Sequence, residues 1–184
     1  MQTEVIISGF GGQGALFAGQ LLAYAGLEND LHVTWFPSYG PEMRGGTAHC
    51  TVILSDEEIG SPIVRHPTSA IVMNIPSLEK YEPLVKAGGV LVVNSSLVDR
   101  NPTREDISIV LIPANEIAEE LGDIRLSNLV LLGALLERLN VLSVDAVGES
   151  LDRHIPERRR NLLEANLQAL AHGARLARAE KAAA

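Results

Sequence analysis

Two stretches of this chain carry residue types that could do chemistry. Residues 36–50, FPSYGPEMRGGTAHC, set prolines, glycines, Tyr39, Glu42 and Arg44 in a short segment between apolar runs. Pro37 and Pro41 stiffen it, Gly40 offers a positive φ, and Gly45-Gly46 lets another backbone come close. Arg44 can present its planar fork to a carboxylate or phosphate, with Glu42 near enough to hold it in place. Taken alone, the segment also reads as a rigid surface loop with a local ion pair. The second stretch is GFGGQG at residues 9–14, in which Gly9, Gly11 and Gly14 satisfy G-x-G-x-x-G. It follows a predicted strand and opens a predicted helix, the context that motif requires. Free N–H groups at such a helix start can hold an anion. Gly12 lies inside the loop, and Gln13 offers both a donor and an acceptor to a ligand or another backbone.

Three readings of the glycine loop stay open. A dinucleotide site also needs an acid near the end of the second strand, for the ribose hydroxyls. Trp35, Phe36 and Pro37 stand there, while Glu28 and Asp30 come before that strand. A phosphate or pyrophosphate of another ligand needs no such acid. Alternatively the glycines only pack the helix on the sheet or fit a partner chain. Asn94-Ser95-Ser96 ends a later strand on the same ligand edge and could cap a helix or meet a ligand.

The elements that must position these residues follow from the pattern. Val5–Ser8 reads as a buried strand, Ala15–Leu27 as a helix, and His32–Phe36 and Ala48–Leu54 as strands. Ser69–Asn74 reads as a strand and Leu78–Val85 as a short helix; Val90–Asn94 and Ile107–Ile112 are further strands. After residue 113 the pattern is helical: Ala114–Leu121, an all-round apolar Leu126–Leu139, Val144–Leu151 and Glu157–Ala179. This order predicts a Rossmann-like α/β fold, a mostly parallel sheet with helices on both faces and a helical C-terminal segment. The close spacing of the second and third strands points to an irregularity there, an antiparallel pair.

The 184 residues are read as one domain, 1–184, with no internal boundary. Aromatics are only 4%, so the core must be built from Val, Ile, Leu and Ala. The net charge of −8, without a basic run before the C-terminal third, argues against nucleic acid. The single cysteine, Cys50, allows no disulfide within the chain and no cysteine-ligated cluster or structural zinc. A reduced, cytoplasmic setting fits. The start opens directly into a strand pattern, unlike a signal peptide, and no apolar run approaches a membrane span of about 18–20 residues. His49 and Cys50 are consecutive on a strand and should face opposite sides, so they form no nucleophilic pair. His66, His154 and His172 show no metal spacing. The basic run Arg153, His154 and Arg158–Arg160 reads as solvated helix surface, or as a docking patch for an acidic partner or a phosphate-bearing ligand.

Together, GFGGQG and PSYGPEMRGGTAHC closely resemble the gamma subunit of the 2-oxoacid:ferredoxin oxidoreductases. DEEIGSP at 56–62, GGVLVVNSS at 88–96, SNLVLLGALLERL at 127–139 and NLQALAHG at 166–173 resemble that family too. The resemblance runs from about residue 4 to residue 173. It implies alpha and beta partner subunits that carry thiamine diphosphate, magnesium and the chemistry. Iron–sulfur clusters would sit on beta or on a ferredoxin-like delta subunit, with ferredoxin as the acceptor. The gamma-type domain packs near where coenzyme A enters, so coenzyme A is a candidate shared substrate, and self-association as a homodimer is open. SYGPEMRGGT looks like the branch acting on 2-oxoglutarate or branched-chain 2-oxoacids, and 2-oxoglutarate is the preferred reading. One departure is Pro67-Thr68, where the family often has Asp after the proline, so Thr68 is given no role. The candidate ligand residues are thus Gly9, Gly11, Gly12, Gln13, Gly14, Tyr39, Glu42, Arg44 and Asn94. None is assigned a catalytic or metal-binding role. A free-standing nucleotide-dependent oxidoreductase and a purely structural subunit remain as alternatives.

Overall fold

The computed structural model describes residues 1–38 and 47–183. Among them, β1 (Gln2–Phe10), β2 (His32–Ser38), β3 (Thr47–Ser55), β4 (Ser69–Val72), β5 (Val90–Asn94) and β6 (Ser108–Ile112) form one sheet. Its order is β2-β3-β1-β4-β5-β6. β1, β4, β5 and β6 run parallel, and β3 lies antiparallel between β1 and β2. The expected irregularity is therefore this inserted strand. A parallel neighbour needs a crossover of about a dozen residues or more, whereas an antiparallel one can follow a short connection. Residues 39–46, between β2 and β3, are too few for a crossover.

The helices are α1 (Ala15–Glu28), α2 (Ile75–Tyr81), α3 (Ala114–Glu120), α4 (Ser127–Arg138), α5 (Val144–His154) and α6 (Leu163–Ala183). Strand alternation sends Val5, Ile7, Val52 and Val92 to one face, under α1 and α3–α6. Ile6, Val72, Leu91 and Val93 point to the other face, under α2. Helices thus lie on both faces, but unevenly. β5 passes to β6 without a helix. Instead Glu82 accepts the N–H groups of Thr103 and Arg104, and Arg104 donates to the carbonyls of Glu82 and Val85 at 3.1 and 2.9 Å.

α4 is the central buried helix the sequence predicts: Leu129, Val130, Leu131, Leu132 and Leu135 are buried. Each buried leucine is worth roughly 1.5–3 kcal/mol relative to exposure. α4 and α6 cross at two glycines. A Cβ on Gly133 would lie 2.0 Å from the Leu170 carbonyl oxygen, and one on Gly173 would lie 1.8 Å from that of Val130. Backbone meets backbone there, so no side chain fits.

Among the boundaries that differ from the sequence reading, three have a plain local cause. β1 continues through Gly9 to Phe10, because β3 supplies a partner as far as Thr47. α2 starts at Ile75, since Asn74 Oδ1 accepts from Ser77 N–H at 2.8 Å and Pro76 suits a first turn. Residues 157–162 form a 3₁₀ turn ahead of α6. That run, ERRRNL, buries none of its residues, so no packing rewards an α-helical register.

Candidate functional site

The parallel strands all end at one edge of the sheet. β2 shares the direction of β1, because both pair antiparallel with β3. The loop after β1, the end of β2 at Ser38, the start of β3 at Thr47, Asn74 after β4 and Asn94 at the end of β5 therefore share that edge. Phe10 pairs with Thr47, and Ser38 with His49, so the two sequence motifs meet there. Tyr39, Glu42 and Arg44 lie outside the described residues. The inserted β3 also bears on the dinucleotide reading. It separates β2 from β1, so the end of β2 is not next to the glycine loop as that fold requires.

The glycine loop has its own internal order. Gly12 and Gly14 have φ of 98° and 79°, a region costly to residues with a Cβ. Gly14 is the N-cap of α1 and has no side-chain cap of its own. Asn128, buried at the head of α4, donates from Nδ2 to the Gly14 carbonyl at 3.1 Å. A Cβ on Gly14 would fall 2.3 Å from that nitrogen. Gln13 folds back over the loop: its Oε1 accepts the Phe10 N–H at 2.6 Å, and the Asn74 Nδ2 approaches it at 3.5 Å. Gly11 is exposed.

Asn94 is turned inward and only 1% exposed. Its Oδ1 accepts the N–H groups of Ser96 and Ala114, each at 3.3 Å, and its Nδ2 donates to Asn115 Oδ1 at 3.0 Å. The side chain thus staples β5 to the start of α3, the capping role among its two readings.

Beside the glycine loop lies a cleft of about 240 Å³, lined by Gly12, Gly14, Phe17, Leu126, Asn128 and Arg159 among others. Its walls are mostly apolar, with Arg125 and Arg159 as the basic side chains among its polar ones. Asp123 holds Arg125, and the hydrogen bond from Arg125 puts the Asp123 carboxyl below its usual range. A larger groove of about 500 Å³ includes Glu4, Arg65 and Lys86. It lies toward the opposite end of the strands, and Glu4 already pairs with Lys86 at 2.9 Å.

His49 and Cys50 face opposite sides, as strand alternation demands. His49 meets the Tyr81 ring at 5.7 Å, and burial with the nearby Lys80 charge lowers its pKa. Cys50 is buried under α1, where its thiol is pushed up to about 12 by burial. The basic run is divided by the fold. His154 stacks on Tyr24 with centroids 4.1 Å apart and bonds Glu28 at 2.8 Å, while Arg153 reaches Glu28 at 3.1 Å. Arg160 pairs with Asp152, and Arg159 faces the cleft.

Sequence reasoning missed Asn74, Asn128, Phe17 and Arg125. Asn74 carried a signal, since Asn two residues before a proline is an N-cap pattern. Asn128 stood out only as a polar residue at the head of an apolar helix.

Comparisons with known proteins agree over nearly the whole chain. The family described as pyruvate ferredoxin/flavodoxin oxidoreductase matches residues 4–176. The ketoisovalerate oxidoreductase subunit VorA of Methanothermobacter marburgensis is 39% identical over 135 residues, 73% of this chain. The chain spans only 28% of that subunit's length. The gamma subunit of a keto/oxoacid ferredoxin oxidoreductase from Geobacter sulfurreducens superposes with a TM-score of 0.83 at 30% identity, covering 96% of this chain and 99% of that one. The 2-oxoglutarate:ferredoxin oxidoreductase of Magnetococcus marinus, solved with 2-oxoglutarate, coenzyme A and succinyl-CoA bound, gives a TM-score of 0.86 at 27% identity. That match covers 97% of this chain and 31% of that one.

Proposed function

The chain belongs to the pyruvate ferredoxin/flavodoxin oxidoreductase family, and from that premise we propose that it is the gamma subunit of a 2-oxoacid:ferredoxin oxidoreductase. The complex converts a 2-oxoacid, coenzyme A and oxidised ferredoxin into an acyl-CoA, carbon dioxide and reduced ferredoxin. The electrons released on decarboxylation pass to ferredoxin. The observation that carries the reading is the end-to-end likeness to a gamma subunit of the same length class.

We propose that thiamine diphosphate, magnesium and the iron–sulfur clusters belong to partner chains, since this chain's one cysteine supplies too few thiolates for a cluster. That cysteine is buried, and among the described residues no three His, Cys, Asp or Glu side chains stand together to hold a metal. We assign those groups to alpha, beta and ferredoxin-like delta partners. No described helix is long and apolar enough to cross a membrane, and we place the complex in the cytoplasm.

This chain supplies assembly surface and a contact for coenzyme A at the strand-end edge. Gly9–Gly14 offer backbone donors to a phosphate, and we propose Arg44, with Glu42 and Tyr39 of the same segment, as a charge-assisted contact. Asn94 acts one layer behind, fixing the loop after β5. The 2-oxoacid is 2-oxoglutarate. The relatives name both 2-oxoglutarate and ketoisovalerate, and SYGPEMRGGT suits either.

The test is reconstitution. The chain is co-expressed with alpha, beta and delta partners, and reduction of ferredoxin or a viologen dye is followed with 2-oxoglutarate, ketoisovalerate or pyruvate plus coenzyme A. Activity should need all chains and favour 2-oxoglutarate, and the chain alone should be colourless and inactive. Turnover by the chain alone, or failure to join the partners, would overturn the assignment.

A further inference from the structure

We infer that the side-chain oxygen of Gln13 stands in for an anionic oxygen of the ligand, and that a phosphate ester binds by displacing it. The inference rests on the reading that the glycine loop faces a phosphate. The last rung between β1 and β4 is Met73 N–H donating to the Ser8 carbonyl at 2.9 Å. β4 ends there, so Phe10 N–H, the next donor along that side of β1, has no strand partner. Gln13 Oε1 takes it at 2.6 Å. Asn74 Nδ2 closes on the same oxygen from the other side at 3.5 Å.

These donors converge on a small built space. Asn74 is 2% exposed and held by its own capping bond to Ser77 N–H, so its amide is fixed in direction. Gly9 leaves room for the oxygen, because a Cβ there would lie 2.7 Å from Gln13 Oε1. The Cβ and Sδ of Met73, each 3.0 Å from that hypothetical Cβ, form an apolar wall. Gln13 itself is only partly buried and sits between Gly12 and Gly14, both at positive φ. It can leave without unpacking the core. An ionised oxygen accepts roughly twice as strongly as a neutral amide carbonyl. A phosphate or pyrophosphate therefore outcompetes Gln13 for the same donors, where a neutral ligand does not.

The sign of one substitution separates this role from the others. Inorganic pyrophosphate is titrated into the full chain, and the Phe10 amide resonance is followed by NMR. Gln13→Ala removes the internal competitor and should tighten pyrophosphate roughly threefold to tenfold. Asn74→Asp keeps the cap on α2 but replaces the donor by a negative charge, and should weaken pyrophosphate by about tenfold or more. Thermal melts of each variant check the fold. Weaker binding by Gln13→Ala would make Gln13 a direct contact, and unchanged binding would make it a loop brace; either result overturns the inference. The KM for coenzyme A of the assembled complex then tests the underlying reading separately. If pyrophosphate responds as expected but that KM ignores both variants, the pocket stands and coenzyme A is the wrong ligand. If Arg44→Ala raises that KM while Gln13→Ala weakens pyrophosphate, coenzyme A stands and the stand-in role falls.

Discussion

Replacing Gly173 by alanine should be among the most damaging single-methyl changes in this chain. In an exposed helix interior the same change stabilises by about 1 kcal/mol, because glycine is the poorer helix former. Here the new Cβ would sit 1.8 Å from the Val130 carbonyl oxygen, 2.7 Å from its carbon and 3.1 Å from the Ala134 nitrogen. Ordinary contact needs about 3.5 Å or more. The obstacle is the α4 backbone, which cannot rotate away as a side chain can. α6 must therefore retreat by more than 1 Å or so, loosening Leu170 and Ala169 against α4, and overpacking of this kind costs about 1–3 kcal/mol or more. We expect a net loss near 2 kcal/mol, which for a chain of this size lowers Tm by roughly 4–8 °C. Gly148→Ala is the control. Its Cβ would lie 3.0 Å from Leu167 Cδ2, the movable end of a side chain, so the helix-propensity gain should offset the crowding. Urea unfolding of both variants, followed by circular dichroism, gives the two midpoints. A Gly173→Ala protein as stable as the parent, or one no worse than Gly148→Ala, would refute the close-crossing account. Gly133→Ala crowds the same crossing from the other helix, so the double variant should cost less than the sum of the two single changes.

Further outcomes follow from single residues. His49 has a lowered pKa from burial and the Lys80 charge, so the unfolded chain takes up the proton first on acidification. Stability tied to it is present above its ordinary range, near pH 6.5, and is lost as pH falls below that. His49→Gln should flatten the decline in ΔG of unfolding between about pH 7 and 5; an unchanged slope would exclude His49 as its source. Cys50, with its thiol pushed up to about 12, should resist a disulfide reagent in the folded chain and react fully in denaturant. Rapid native labelling would contradict its burial. Arg44→Ala in the assembled enzyme should raise the KM for coenzyme A about tenfold to a hundredfold and spare that for the 2-oxoacid. A complex that falls apart on a sizing column would instead make Arg44 an assembly contact, and an intact complex with unchanged KM would leave it a loop brace. Phe10 and Phe36 are 40% and 60% exposed near the strand-end edge, so the chain expressed alone should self-associate. A clean monomer by light scattering at high concentration would count against that.

The local elements were legible in the sequence because each reports on its own periodicity. The strand ahead of GFGGQG, the helix after it and the buried SNLVLLGALLERL helix follow from residues within one window. Strand order did not follow in the same way. Periodicity says that Ala48–Leu54 is a strand, but not that it enters between β1 and β2, since that choice is made by pairing across the sheet. The short span between β2 and β3 was the only local trace of it. The contact from Asn128 to Gly14 joins residues 114 apart and leaves no mark on either segment alone.

The same contrast explains why the site residues divide as they do. Gly12 and Gly14 are required by backbone conformation, which a sequence motif encodes directly. Asn74, Asn94 and Asn128 are required by what other segments leave unpaired at the strand ends. Each lies at the start of a helix or the end of a strand, where backbone groups lose their regular partners. Asn74 accepts the Ser77 N–H, Asn94 takes the N–H of Ala114, and Asn128 holds the Gly14 carbonyl. At the glycine loop it is the Gln13 side chain that takes the Phe10 N–H. A ligand approaching this edge therefore finds fixed asparagines behind one movable side chain. On the proposed reading, such an arrangement would favour a ligand with a charge strong enough to displace an amide.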